Sequence, residues 1–276
     1  MLDDVLHLLA CPHCAAPLAR LERSVACANG HSFDVARSGY LSLLPGDARQ
    51  GSGDTAEMVD AREAFLGAGH FEPLAGAIGD EAERAGLPGG CVVDLGAGTG
   101  WYLGRVLDRL PGPAGIALDL SKHALRRAAR AHPRIGAVAC DAWRGIPVRD
   151  SAAALVLSVF APRNGREIAR VLGPSGALVV ATPTGRHLGE LVSTFGLLTV
   201  DKRKQERLGA GLDPHLDLER RVEREWSLAL ARTDVVNAVA MGPSARHVSV
   251  KALDPQIAAM PVTASVTIST YRARPG

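Results

Sequence analysis

Asp94-Leu95-Gly96-Ala97-Gly98-Thr99-Gly100 follows a short apolar run, Cys91–Leu95, and precedes an amphipathic stretch, Tyr102–Leu110. Small residues at a strand-to-helix turn let backbone N–H groups approach a bound cofactor closely. The glycines are spaced G-x-G-x-G with an acid two residues ahead of the first, whereas dinucleotide loops read G-x-G-x-x-G and seat a pyrophosphate. A carboxylate at Asp94 would repel pyrophosphate and suits the cationic end of S-adenosylmethionine. Taken alone, the loop also reads as a strand-turn-helix corner whose glycines serve geometry only.

Working outward, short apolar runs alternate with amphipathic segments from Gly90 onward, the pattern of a parallel sheet with crossover helices. Strands are predicted over 91–95, 115–120, 137–141, 153–159 and 177–182, with helices over 102–110, 122–131 and 166–172. Val222, Trp226, Leu228 and Leu230 fall on one strand face, and Val262, Ala264, Val266 and Ile268 repeat the alternation, predicting an antiparallel addition at the sheet edge. Asp119 closes the second strand, 25 positions after Asp94, where an acid accepts hydrogen bonds from both ribose hydroxyls. Asp141 closes the third and, with the backbone N–H of Ala142, can bind an adenine amino group. Each acid alone reads as a helix cap; together, three at successive strand ends converge on one crevice.

Ahead of this lie Cys11, Cys14, Cys27 and His31, spaced C-x2-C, twelve residues, then C-x3-H. Two such knuckles converge on a tetrahedral Zn2+ with three thiolates and one imidazole. Pro12 stiffens the first knuckle, and Asn29-Gly30 supplies the turn that brings His31 back. Four protein ligands close the coordination sphere, so the metal is expected to be structural. Cys91 and Cys140 sit in apolar strands and read as inert core residues.

The chain has 276 residues, 47% hydrophobic, with a net charge of +2. A nucleic-acid surface must therefore come from local Arg clusters. Four of the 31 basic residues are Lys and the rest Arg, a bias that suggests a genome rich in G and C. No apolar run reaches the roughly 18 residues of a membrane span, and Met1-Leu2-Asp3-Asp4 carries acids where a signal peptide carries bases. The expectation is a cytoplasmic protein with no membrane partner. Residues 41–57 read as a loop, and Ala56–Leu66 as a helix with Met58, Ala61, Phe65 and Leu66 on one stripe, capped by Ser52 or Asp54. This divides the chain into a zinc-binding module (1–45), a linker and helical segment (46–85) and a domain for S-adenosylmethionine (86–276). Basic clusters stand at Arg20, Arg23 and Arg37, and along Lys122, Arg126, Arg127, Arg130 and Arg134. Lys202, Arg203, Lys204 and Arg207 are offset by Asp201 and Glu206.

Further motifs carry a resemblance: Cys11-Pro12-His13-Cys14, Gly30-His31-Ser32-Phe33-Asp34 with Gly39-Tyr40, and Asp60-Ala61-Arg62 with Gly69-His70-Phe71. Beyond the glycine loop come Phe160-Ala161-Pro162-Arg163-Asn164, Thr182-Pro183 with His187-Leu188, and Ala240-Met241-Gly242-Pro243. Over nearly its whole length the chain resembles the zinc-containing 23S ribosomal RNA guanine-N1 methyltransferases, which include the macrolide (tylosin-type) resistance enzymes of antibiotic-producing actinomycetes. The resemblance implies an α/β, Rossmann-like class I methyltransferase fold, a mixed and mainly parallel sheet with a small N-terminal zinc module. It implies zinc on Cys11, Cys14, Cys27 and His31, and S-adenosylmethionine contacts at Phe71, Gly98, Thr99 and His187, beside the Gly96 turn, Asp94, Asp119, Asp141 and Ala142 read above. Phe71 replaces a tyrosine of some relatives, so a contact through the ring survives and one through the hydroxyl does not. Ala97-Gly98-Thr99 also departs from the cysteine- and glutamate-bearing loop of others.

The implied activity is methylation of guanine N1 in a 23S rRNA hairpin loop near the peptide exit tunnel, conferring macrolide resistance. Methyl transfer from a sulfonium is an in-line displacement that needs no protein nucleophile, so positioning should dominate. Ser158–Asn164 stands where such enzymes present their target base. Pro162 stiffens the turn, Asn164 can bond the guanine edge or cap the next helix, and Arg163 can hold a phosphate. No general base is evident. A base in folded RNA must be unstacked, which gives the zinc module a role in gripping the surrounding nucleotides, and two copies could share one RNA cleft as a homodimer. The competing readings are a small-molecule methyltransferase of a biosynthetic pathway and a catalytically silent RNA-binding protein.

Overall fold

Among the described residues an eight-stranded sheet carries the fold, and the pleat of its strands, buried on both faces, sends successive side chains into two separate cores. The computed structural model describes residues 1–45, 53–87, 89–198, 211–246 and 257–274. Helix α1 (Leu2–Leu6) leads into a small sheet of β1 (Leu18–Arg20), β2 (Ser24–Cys27) and β3 (Ser32–Asp34), followed by β4 (Leu41–Ser42). Helices α2 (Ala56–Gly67) and α3 (Glu72–Arg84) precede the βαβ region: β5 (Cys91–Leu95), α4 (Trp101–Arg109), β6 (Gly115–Asp119), α5 (Lys122–Ala131) and β7 (Ile135–Ala139). Then come β8 (Ala153–Val159), α6 (Gly165–Val171), β9 (Leu172–Pro183), α7 (Gly189–Phe195), β10 (Leu216–Leu230), α8 (Arg232–Ala240) and β11 (Met260–Ala273).

The main sheet runs β10-β11-β9-β8-β5-β6-β7-β4. Strands β4 to β9 pair in parallel, and β11 and β10 add antiparallel at the edge, as the late alternation predicts. Period two then divides the core. Val92, Ala117, Ala137, Leu155 and Val179 face α3, α4, α5, α7 and α8, whereas Val93, Ile116, Val138, Val156 and Leu178 face α1, α6 and the zinc-knuckle segment. Fully burying one such Val or Leu contributes about 1.5–3 kcal/mol, so both faces need cover.

Two expectations change on contact with the structure. Within the stretch read as loop, Leu41 and Ser42 form β4, which pairs with Val138 and Ala139 of β7. Their register is set by a partner about a hundred residues away, which local periodicity does not reveal. Helix α2 is capped by Thr55, whose Oγ1 accepts from Met58 N at 3.3 Å, rather than by Ser52 or Asp54. Ser52 lies outside the described residues, as do Lys202, Arg203, Lys204 and Arg207 with Asp201 and Glu206. Asp54 instead pairs with Arg62 and offers its carbonyl to Ser121 Oγ at 2.7 Å. The predicted α2 stripe is buried, and α3, α7 and α8 join elements that pattern reading did not place.

Candidate functional site

Two knuckle turns carry the cysteines. Ala15 N returns to Cys11 O at 2.8 Å, and Gly30, at φ 83°, returns its N–H to Cys27 O at 3.0 Å. The four ligand atoms of Cys11, Cys14, Cys27 and His31 lie within 4.8 Å of one another. Cys14 Sγ is 3.7 Å from Cys27 Sγ, and His31 Nδ1 is 3.6 Å from Cys11 Sγ and 3.3 Å from Cys27 Sγ. Zinc–sulfur bonds of about 2.3 Å at tetrahedral angles put sulfurs about 3.8 Å apart, so this donor set fits zinc, with Nδ1 as the imidazole ligand. The Ala16 N–H and the Asn29 side chain pull the Cys14 thiol down to about 6, toward the thiolate a metal needs. His13, given no role above, stacks on Phe33 at 5.9 Å and lies 4.9 Å from His31, walling one side of the cluster. Arg20, Arg23 and Arg37 are exposed on this module.

At the C-terminal ends of β5 and β6, Gly96, Gly98 and Gly100 all adopt positive φ, 65°, 56° and 76°. A Cβ on Gly96 would stand 2.8 Å from Ala161 Cβ, so the glycine loop and the segment after β8 are packed together. Asp119 Oδ2 accepts from Gly98 N at 2.8 Å and Oδ1 from Ser121 N at 2.7 Å. Each oxygen keeps acceptor capacity beyond its one backbone partner. Burial pushes the Asp119 carboxyl up, and burial with repulsion from Asp119 raises Asp94 well above the carboxylate range. Two buried acids that disfavour each other's charge make a site that gains from a bound cation. That is the fit an S-adenosylmethionine sulfonium or ammonium group requires.

Asp141 lies two residues beyond β7, with Oδ1 accepting from Trp143 N at 3.0 Å. Phe71 and His187 come together: their ring centroids are 5.8 Å apart, and Phe160 stands 5.4 Å from His187 and 6.2 Å from Phe71. His187 Nδ1 accepts from Ser265 N at 3.2 Å, and burial pushes the imidazole down to about 4, leaving it neutral near pH 7. The unfolded imidazole takes up a proton near its ordinary 6.5 while the folded one does not. Stability contributed by His187 is therefore full above about 6.5 and is lost as pH falls toward about 4. Thermal denaturation of wild type against His187→Gln should show a steeper wild-type decline over that window, and superposable profiles would contradict it.

Asn164 caps α6: Oδ1 accepts from Glu167 N at 3.3 Å and Nδ2 donates to Trp143 O at 3.1 Å. Its side chain is thus engaged in the capping alternative. Among the described residues Arg163 Nε is buried with no hydrogen-bond partner, and burial lowers the guanidinium pKa. The basic run on α5 is partly spent internally. Arg127 pairs with Asp60 at 2.7 Å and Glu63 at 2.8 Å, and Arg134 donates to the carbonyls of Leu107, Leu110 and Pro113. Cys91 and Cys140 are buried, with thiols pushed up by desolvation, Cys91 to about 12.

Arg62 was quoted above only as part of a motif. It pairs with Asp54, donates to Met241 O at 2.8 Å and stands 3.7 Å from where a Gly98 Cβ would be. It therefore closes the glycine loop from α2, and only its distance from the loop in sequence hid that place.

A zinc-ribbon family model described as "RlmA, N-terminal" matches residues 9–51, and one described as "Methyltransferase domain" matches residues 92–176. The chain is 46% identical over its full length to a full-length Streptomyces fradiae protein, "23S rRNA (guanine(748)-N(1))-methyltransferase". It is also 46% identical, with both chains fully covered, to a Micromonospora griseorubida protein named "Putative 23S rRNA (guanine-N(1)-)-methyltransferase". A Bacillus subtilis (strain 168) protein with that same activity in its name is 31% identical over 67% of each chain. A solved structure of geranyl diphosphate methyltransferase with GPP and sinefungin aligns at TM-score 0.46 and 14% identity, over 73% of this chain and 78% of that one.

Proposed function

The chain belongs to the 23S rRNA (guanine-N1)-methyltransferase family, and from that premise we propose that it transfers a methyl group from S-adenosylmethionine to N1 of one guanine in a 23S rRNA hairpin loop. The observation that carries this reading is full-length identity of 46% to a relative named for guanine 748, spanning zinc segment and methyltransferase domain alike. The guanine equivalent to position 748 is the target we assign. Residues 1–45 act as the RNA-recognition module, held by structural zinc, and residues 86–276 as the catalytic domain, with 46–85 joining them. The enzyme acts in the cytoplasm, where ribosomes are, and its methylation protects them from macrolides. Among the described residues, no helix is long and apolar enough to cross a membrane.

S-adenosylmethionine supplies an electrophilic methyl when bound. On this reading Asp119 takes the ribose hydroxyls on the acceptor positions its backbone partners leave open, and Asp141 with the Ala142 N–H takes the adenine edge. Asp94 favours the cationic part of the donor, with Gly96, Gly98 and Thr99 allowing close backbone approach. Phe71, Phe160 and His187 wall the donor from water, and a neutral His187 adds no charge against the sulfonium. An imidazole at about 4 is a weak base, so the guanine N1 proton leaves to water. Arg163, whose buried Nε has no hydrogen-bond partner among the described residues, holds an RNA phosphate beside the target.

The test is methyl transfer from labelled S-adenosylmethionine to transcribed 23S rRNA fragments, with mass spectrometry locating the product. A single N1-methylguanine in one hairpin loop is expected. Methylation of a metabolite, with no transfer to RNA despite bound donor and zinc, would overturn the reading in favour of a small-molecule enzyme.

A further inference from the structure

Most aromatic rings of this chain are packed inside it, and two are not. Among the described residues, Trp143 at 57% and Phe160 at 41% are the exposed Phe, Tyr or Trp side chains. Both follow parallel strands, β7 and β8, at the sheet end that carries the glycine loop and the three acids. Phe160 already has ring neighbours in Phe71 and His187. Trp143 has none among the described residues, yet its loop is firmly held.

Trp143 N donates to Asp141 Oδ1 at 3.0 Å, and its carbonyl accepts from Asn164 Nδ2 at 3.1 Å. Arg144 N and Gly145 N both return to Asp141 O, at 3.0 and 3.2 Å, and Ile146 N donates to Glu167 Oε2 at 2.9 Å. The indole is therefore displayed by a fixed backbone rather than left out by a loose one. A ring of this size forgoes a large burial gain when it points to water, which is a mark of surfaces that meet a partner. The partner's chemistry follows from what stands nearby. Arg144, the next residue, carries an exposed guanidinium whose Nε stands 3.8 Å from Asp141 Oδ2, the carboxylate whose other oxygen holds the Trp143 N–H. Exposed aromatic faces beside cations recognise single-stranded nucleic acid, where any unstacked base can lie on the ring.

We propose that Trp143 is a stacking platform for an unpaired RNA base next to the methylated guanine. Asn164 sets its position by tying the β7 loop to the start of α6. This rests on the rRNA-methylating reading above. A base that stacks on Trp143 replaces the stacking lost when the target guanine is drawn out of the hairpin.

The test uses the full-length zinc-loaded enzyme, the 23S hairpin fragment, and Trp143→Ala and Trp143→Phe, with RNA affinity read by fluorescence anisotropy and donor affinity by calorimetry. Trp143→Ala should bind the hairpin about ten- to hundred-fold more weakly, with donor affinity unchanged, and Trp143→Phe should recover most of the loss. Undiminished hairpin affinity in Trp143→Ala, while the wild type binds and methylates the RNA, would overturn the platform and leave the rRNA reading intact. Loss of donor affinity would also overturn it, by assigning the ring to the donor. A wild type that neither binds nor methylates the hairpin would remove the rRNA reading itself, and the platform with it.

Discussion

Asp119→Ala is expected to weaken S-adenosylmethionine binding by about 3–5 kcal/mol, a factor of roughly a hundred to several thousand, in a titration calorimeter. Two losses combine. The ribose loses a charged acceptor, each such hydrogen bond being worth about 1.5–3 kcal/mol. In addition, the Gly98 and Ser121 N–H groups, held at 2.8 and 2.7 Å, lose their partner, so the turn that admits the donor is no longer fixed. One term opposes this: Asp119 repels Asp94, and removing it lets the Asp94 carboxyl ionise more easily. That relief favours a cationic donor but restores neither backbone bond, so the loss prevails. Asp119→Asn, which keeps one acceptor oxygen, should fall between. Binding of the donor to Asp119→Ala at wild-type affinity would remove Asp119 from the site.

Cys14→Ser should have the other large effect, and on the opposite face of the sheet. Elemental analysis should find about one zinc per wild-type chain and little in the variant, because the serine hydroxyl does not supply the thiolate. Structural zinc in small modules contributes on the order of 10 kcal/mol to folding, and here the consequence spreads. Cys11, Cys27, Leu18, Val25 and Phe33 share a core with Val93, Ile116 and Val138 of the main sheet. The melting temperature should therefore drop for the whole chain, not for a detached module alone. RNA methylation should be lost while donor binding at the far side, on the glycine loop, is retained at low temperature. The two variants thus separate donor from RNA function. Full zinc content and full activity in Cys14→Ser would refute the assignment of this ligand.

What the amino-acid sequence determined by itself is what depends on spacing along one segment. Short continuous apolar runs select parallel strands buried on both faces, and a strand such as β5 sends Val92 to one core and Val93 to the other because successive side chains must point opposite ways. The two cysteine knuckles and the glycine turn are equally local, since a metal or a tight backbone approach constrains residues only a few positions apart. What only the tertiary structure decided is which polar groups are already engaged. Arg127 and Arg134 belong to a basic run that reads first as a solvated face, yet they are held by Asp60, Glu63 and backbone carbonyls, whereas among the described residues the buried Arg163 Nε has no hydrogen-bond partner. Asn164 is taken by a cap and by the Trp143 carbonyl, β4 finds its partner in β7, and Arg62 reaches Met241 across the fold. These pairings join residues from 3 to 179 positions apart, and the longer ones follow no period. They depend on how two faces of one sheet are covered, and a side chain's exposure or engagement is set there rather than in its neighbours along the chain.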